Sequence, residues 1–181
     1  IDIFEPLEPI KAYLFVRSGH PLASANVSLR DVLDYPLVQV SRLPPRVLKP
    51  LLNAQGASST TELSLPFTAL DCPTIPLAVD TVLGSDAVML VSLGMVKREL
   101  ALRRVVPVCH ESWMRSNWAF MKLRHRSPSP AVTAFLAALR TAHAASLAED
   151  AMLEKRWRPL LPPRAVPGNV ASPKRRDKRS K

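Results

Sequence analysis

Hydrolysis, metal binding and base stacking each require particular side chains at particular spacings, and this sequence offers one candidate set for each. Ser85-Asp86 could begin a nucleophilic triad, yet the sequence has neither a Gly-x-Ser-x-Gly elbow nor a glycine-rich phosphate loop. His20 invites a metal or general-base role, but no Cys or carboxylate stands near it at ligand spacing, and His110, His125 and His143 are isolated. A structural role in a turn is the better reading of His20. Trp113, Trp118 and Phe120 flank Arg115 and could stack bases, whereas alternation along a strand explains them more simply as core. Cys72 and Cys109 could pair, but nothing else marks a disulfide-stapled scaffold, and both read as buried free thiols. Catalytic residues, metals and cofactors are therefore not expected.

Binding chemistry must then come from side chains placed by regular elements, and these alternate in α/β fashion along the chain. Ala12-Tyr13-Leu14-Phe15-Val16 reads as a buried strand, stopped by Ser18-Gly19-His20-Pro21. Ser28 caps a short helical turn ending at Leu33, with Asp31 in the capping-box position. Pro36-Leu37-Val38-Gln39-Val40 is the second strand. From Pro44 to Gln55, Val47, Leu48, Leu51 and Leu52 share a helical face and Gly56 can end the helix. Pro50 interrupts that segment at a cost of about 3 kcal/mol, which predicts a kink or a helix starting near Pro50.

Glu62-Leu63-Ser64-Leu65 alternates as a strand, Ile75 to Leu83 reads as a helix ending at Gly84, and Ala87 to Val91 is a buried strand. Met95 to Leu102 is a short helix, followed by strands over Arg104 to Val108 and Asn117 to Leu123. Ser129 caps the clearest helix, Pro130 opens it, and Val132, Phe135, Leu136 and Leu139 form one stripe. Helical structure extends over Ala144 to Arg158, and order is expected to fade beyond Pro159.

The chain has 181 residues, 47% of them hydrophobic, which suits one domain or two small lobes around a core. Neither a signal peptide nor an uninterrupted apolar run of spanning length is visible, so no membrane association is expected. The formal charge of +10 is unevenly placed: Arg164 to Lys181 carries seven basic residues and one acidic one. That segment is too poor in large apolar residues to offset its ordering entropy and reads as a disordered tail. Its bases could contact phosphates without reading sequence.

Read in order, the parts resemble the co-inducer-binding domain of the LysR-type transcriptional regulators. Phe15-Val16-Arg17-Ser18-Gly19-His20-Pro21-Leu22-Ala23 looks like the family's apolar strand and His-Pro-Leu-Ala turn. Val27-Ser28-Leu29-Arg30-Asp31-Val32, followed by Tyr35-Pro36-Leu37-Val38, is similar to the next capped turn and strand. Val82-Leu83-Gly84-Ser85-Asp86-Ala87-Val88-Met89-Leu90-Val91 resembles a helix-to-strand junction of the family, and Arg124-His125-Arg126-Ser127-Pro128-Ser129-Pro130-Ala131 the run into its closing helix.

The resemblance spans about Phe4 to His143 and implies an α/β, two-lobed periplasmic-binding-protein-like sensor, cut off upstream, with its second lobe complete and its first partial. Residues 1–16 would be the end of the first lobe and a crossing strand, and 17–108 the second lobe. Residues 109–145 would return to the first lobe, and 146–181 would be a C-terminal extension with a disordered basic tail from about 159.

In such sensors the effector lies between the lobes, near strand ends and helix N-termini. By position this implies Ser41 and Arg42, where a hydroxyl and a guanidinium fork could meet a carboxylate, although Arg42 also reads as a solvated surface charge. Phe67 and Thr68 could supply an apolar wall and a hydroxyl, with core packing the competing role, and Ser18 stands at a hinge or cleft edge.

The resemblance further implies a cytoplasmic homodimer or tetramer that takes a small-molecule effector and touches DNA only through a missing N-terminal domain. The competing reading is the solute receptor of a transporter, which shares the fold.

Overall fold

Alternation within Tyr13-Leu14-Phe15-Val16 sets the architecture, because successive side chains of a strand face opposite ways. Tyr13 and Phe15 enter one apolar cluster and Leu14 and Val16 another, and all four are at most 2% exposed. A strand buried on both faces must lie inside a sheet covered by helices on each side. The computed structural model describes residues 2–24, 27–40, 43–54, 69–122 and 126–157. Its strands are β1 (Asp2–Pro6), β2 (Ile10–Lys11), β3 (Tyr13–Arg17), β4 (Leu37–Gln39), β5 (Ala69–Asp71), β6 (Val88–Val91), β7 (Val105–Cys109), β8 (Arg115–Ser116) and β9 (Ala119–Lys122). Its helices are α1 (Leu29–Leu33), α2 (Pro45–Ala54), α3 (Ile75–Leu83), α4 (Lys97–Ala101) and α5 (Pro130–Trp157).

The main sheet runs β5-β4-β6-β3-β7, with β4 parallel to β5 and β6, and β3 antiparallel to β6 and β7. One face is covered by α1, α2 and the 3-10 turn Pro21–Ser24, through Val32, Leu33, Val47, Leu51 and Leu22. The other is covered by α3, the 3-10 turn Gly94–Val96, α4 and the end of α5, through Val79, Val82, Val96, Leu100 and Trp157. Two small antiparallel ribbons, β2 with β8 and β1 with β9, stand outside this sheet.

Local signals act where expected. Ser28 closes a capping box with Asp31, whose carboxyl is held below its usual range mainly by the Ser28 side-chain hydrogen bond. Thr74 caps α3 by accepting from the Leu77 amide, and Pro76 falls in the first turn, where a missing N–H is harmless.

Two expectations need correction. The helix over 45–54 runs through Pro50 rather than starting there; Pro50 can donate no hydrogen bond to the preceding turn, and the burial of Val47 and Leu51 on either side of it offsets that loss. Trp118, read as core, is 54% exposed. The strand expected at Glu62 to Leu65, Gly56 and the basic tail lie outside the described residues.

Helix α5 joins the helix expected from Pro130 to the helical structure expected over Ala144 to Arg158, 28 residues without a break, and an 18-residue stretch of it averages a hydropathy of 1.3. By length and composition alone such a helix could cross a membrane. Here both halves are fastened to the rest of the chain. Arg140 donates to both carboxylate oxygens of Glu5, His143 donates to the Glu8 carbonyl at 2.8 Å, and Trp157 is 6% exposed in the core of the main sheet. The Arg140 hydrogen bond holds Glu5 below, and Arg140 itself above, their usual values. The stripe Val132, Phe135 and Leu139, expected to pack, is instead exposed.

Cys72 and Cys109 are both free and buried, and they belong to the clusters on opposite faces of the sheet. Burial pushes the Cys109 thiol up to about 12, with the Glu111 charge adding to the effect. A thiol so far from its thiolate is a poor nucleophile. Native protein treated with a thiol-specific disulfide reagent at pH 8 is expected to leave Cys109 unmodified, and denaturant is expected to release both thiols. Rapid native labelling at Cys109 would show that its face of the sheet opens.

Candidate functional site

A parallel strand flanked by crossovers to opposite sides leaves a crevice beyond its carboxyl end. The strand here is β4. The chain leaves it through α2 to β5 on one side and returns through α3 to β6 on the other. At the carboxyl ends of β4 and β6 lies a cavity of about 280 Å³, lined by Gln39, Val40, Val91 and Ser92 from those ends. Ile10, Arg115, Ser116 and Trp118, on and beside the β2/β8 ribbon, form a second wall. Leu43, Pro44, Arg46 and Val47 come from α2 and its approach, and Ile75 from the first turn of α3.

The walls are largely apolar, with polar groups at a few points, as in most small-molecule sites. Arg46 donates through Nη2 to the Arg115 carbonyl at 3.2 Å, and Arg115 donates through Nε to the Ser112 carbonyl at 2.9 Å. The Arg46 guanidinium thus reaches the backbone of Arg115 at the cavity wall, and a guanidinium carries five N–H donors, more than such a bond uses. Gln39 donates to Asp71 Oδ1 at 2.6 Å, which ties together the carboxyl ends of β4 and β5. Ser92 is buried, in the first position after β6. The lining, among the described residues, includes two arginines and no carboxylate. Helix α3 also directs the positive end of its dipole toward this region.

Of the five candidates from sequence, Ser18 is exposed and stands at the other end of the sheet. Its amide donates to the Arg104 carbonyl at 2.9 Å, where β3 and β7 end away from the cavity. Ser41, Arg42, Phe67 and Thr68 lie outside the described residues. Ser41 and Arg42 are bracketed in sequence by Val40 and Leu43, and both of these line the cavity. Phe67 and Thr68 precede β5, whose cavity-side end is Asp71.

The rule that polar residues just after a buried parallel strand face the crevice would also have found Gln39 and Ser92. Arg46 gave no sign, because it is the second residue of a helix marked by its apolar stripe. Arg115 lies on a strand of two residues, too short for alternation to show.

The other residues considered for chemistry are structural. Asp86 accepts from Arg17 Nη2 at 2.6 Å, and Ser85 Oγ donates to the Thr81 carbonyl at 2.6 Å. His20 is 3% exposed; its Nδ1 accepts from the Leu22 amide at 3.0 Å, and its Nε2 donates to the Asp86 carbonyl at 3.1 Å. That pair of bonds fixes one neutral tautomer.

The chain shares 18% identity with the effector domain of the transcriptional regulator AmpR of Pseudomonas aeruginosa, at a TM-score of 0.52 over 80% of this chain and 68% of that one. It shares 16% with the AmpR effector binding domain from Citrobacter freundii, at a TM-score of 0.49 over 80% of this chain and 67% of that one. Against full-length LysG from Corynebacterium glutamicum with bound effector Arg, identity is 11% and the TM-score 0.43, over 82% of this chain and 47% of that one. The chain thus spans about two thirds of the isolated effector domains and under half of the full-length regulator. No match was found among curated proteins. The model of the LysR substrate binding domain matches residues 3–144, most of the chain. The chain belongs to the LysR substrate binding domain family, the effector-sensing part of LysR-type regulators.

Proposed function

We propose that the cavity at the ends of β4 and β6 is the effector site and that it takes a small anionic molecule, a carboxylate being the simplest. The observation that carries this reading is the pair Arg46 and Arg115 at the rim of a largely apolar cavity whose described lining holds no carboxylate. A planar guanidinium receives a carboxylate through two parallel bonds, and a low-dielectric wall strengthens them. A volume of about 280 Å³ suits a ligand of amino-acid or benzoate size. In this reading the unit built on the main sheet is the second lobe, 109–145 returns to the first, and 146–181 is an extension. Ser41 and Arg42 join the site from between Val40 and Leu43, and Phe67 and Thr68 belong to the neighbouring β5 approach.

The protein acts by binding rather than catalysis, in the cytoplasm, as a homodimer or tetramer. It reaches DNA through a separate DNA-binding domain. Effector held between the two walls would change their relative orientation and so the geometry of the assembly.

Replacing Arg46 by alanine is expected to weaken carboxylate binding by about 1.5–3 kcal/mol, the scale of a charge-assisted hydrogen bond. Calorimetric titration of both proteins with a panel of small carboxylates measures it. Equal affinities in the two proteins would remove Arg46 from the site, and binding of neutral compounds alone would refute the anionic reading.

A further inference from the structure

The cavity's wall includes Ser92 and Met95, and between them the chain turns through Gly94. That turn is held from behind. The Gly94 amide donates to Asp150 Oδ1 at 2.7 Å, across 56 residues of sequence. The fit is close, since a Cβ at position 94 would stand 2.9 Å from the same oxygen. Just beyond the turn, Lys97 Nζ contacts Glu149 Oε1 at 3.0 Å, and further along α5 Leu153 and Trp157 pack into the main core. Glu154 accepts from Lys11 Nζ at 2.7 Å, beside the β2/β8 ribbon that forms the cavity's other wall. All of these α5 residues follow residue 144, where the family match ends.

The same helix is fastened at its other half to a different part of the molecule. Arg140 holds Glu5 on β1 through two hydrogen bonds, lies 5.8 Å from the Phe120 ring centroid on β9, and is followed by His143 on the Glu8 carbonyl. An uninterrupted α-helix rises about 1.5 Å per residue and is stiff over that length. Displacing one fastened end therefore loads the other.

We propose that Asp150 is a positioning residue for the effector site: it fixes the Ser92–Met95 turn against α5 and thereby couples the cavity to the β1/β9 ribbon. The proposal rests on reading the cavity as the effector cleft. Occupancy that shifts the turn would be relayed to Glu5 and the ribbon by α5, and by reciprocity the ribbon's state would alter affinity in the cavity. Asp150 suits the part because it is a short side chain on a rigid element, accepting from a backbone amide rather than from a mobile side chain.

Hydrogen exchange of the 181-residue chain tests the coupling without any effector. Asp150→Ala is expected to speed exchange about tenfold at the Gly94 amide and also in β1 and β9, while β4 and β6 stay protected. Asp150→Asn, which keeps an acceptor oxygen, should restore most of the protection. From the other end, Glu5→Gln should loosen the Gly94 amide. Faster exchange confined to the turn in Asp150→Ala would overturn the coupling, as would an even rise across every strand, which would mark Asp150 as a general stabiliser. Failure of carboxylates to bind leaves these exchange outcomes intact and refutes only the reading of the cavity.

Discussion

Replacing Trp157 by alanine lowers the stability of this protein by about 3–5 kcal/mol, the range for removing a buried large aromatic side chain. Trp157 is 6% exposed although it ends a helix most of whose surface meets solvent, and it shares a cluster with Tyr13, Phe15, Val79 and Met89. Its loss opens a cavity against the main sheet and frees the end of α5, so the Lys97–Glu149 and Lys11–Glu154 pairs should weaken with it. Glu154 shows what that pairing does. Burial pushes its carboxyl up, but the Lys11 hydrogen bond and charge, with the Tyr13 hydroxyl, outweigh burial and hold it below the usual range. Urea unfolding of Trp157→Ala should show a lower midpoint with an unchanged slope. A loss under about 1 kcal/mol would mean that the helix end rests on the sheet without sealing it.

The second large effect is expected at His20, whose replacement by alanine should cost about 2–4 kcal/mol. The imidazole is buried edge-on against Tyr35, with ring centroids 4.5 Å apart, and it satisfies the Leu22 amide and the Asp86 carbonyl. Alanine leaves a hole and strips two backbone groups of a partner, each worth about 1–3 kcal/mol when buried. Backbone bonds from the His20 amide to the Arg17 carbonyl and from the Ala23 amide to the His20 carbonyl also hold the turn. Should His20→Ala unfold at the wild-type midpoint, those backbone bonds alone define the turn and the ring is a bystander.

His20 also shows what sequence could reveal. Its place before Pro21, isolated from carboxylates and thiols, was enough to read it as structural, but its partner Asp86 is distant in sequence. The same division holds elsewhere. The Ser28-Asp31 capping box, the Ile75–Leu83 helix and the doubly buried Tyr13-Leu14-Phe15-Val16 strand are written in local pattern, and the structure repeats them. The short strands β2, β5 and β8 have too few residues for a period to emerge, and the crevice depends on two of them.

Helix α5 misled for a different reason. An apolar stripe is evidence that a helix has something to pack against, and Val132, Phe135 and Leu139 nevertheless face outward among the described residues. What holds the helix is spread instead over Glu5, Glu8, Lys11, Gly94 and Lys97, none of which is near it in sequence. The rim arginines were illegible on the same grounds, since Arg46 and Arg115 meet only after α2 and the β8 strand are in place.

The ribbon of Ile10 with Ser116 and Lys11 with Arg115 brings the entry and exit of the main sheet side by side. Everything between is topologically an insert, and the contacts that close it join residues far apart along the chain. Closing so large a loop grows only logarithmically more costly with its length, about 0.6 kcal/mol per doubling, so added residues in its surface loops should barely alter the equilibrium. The rate is another matter. Pairing β3 with β7 closes nearly as long a loop, and proteins dominated by such distant contacts fold slowly. The arrangement that makes this unit tolerant of insertion also leaves its sheet edges unpaired for longest during refolding, when association with a second chain competes with completing the sheet.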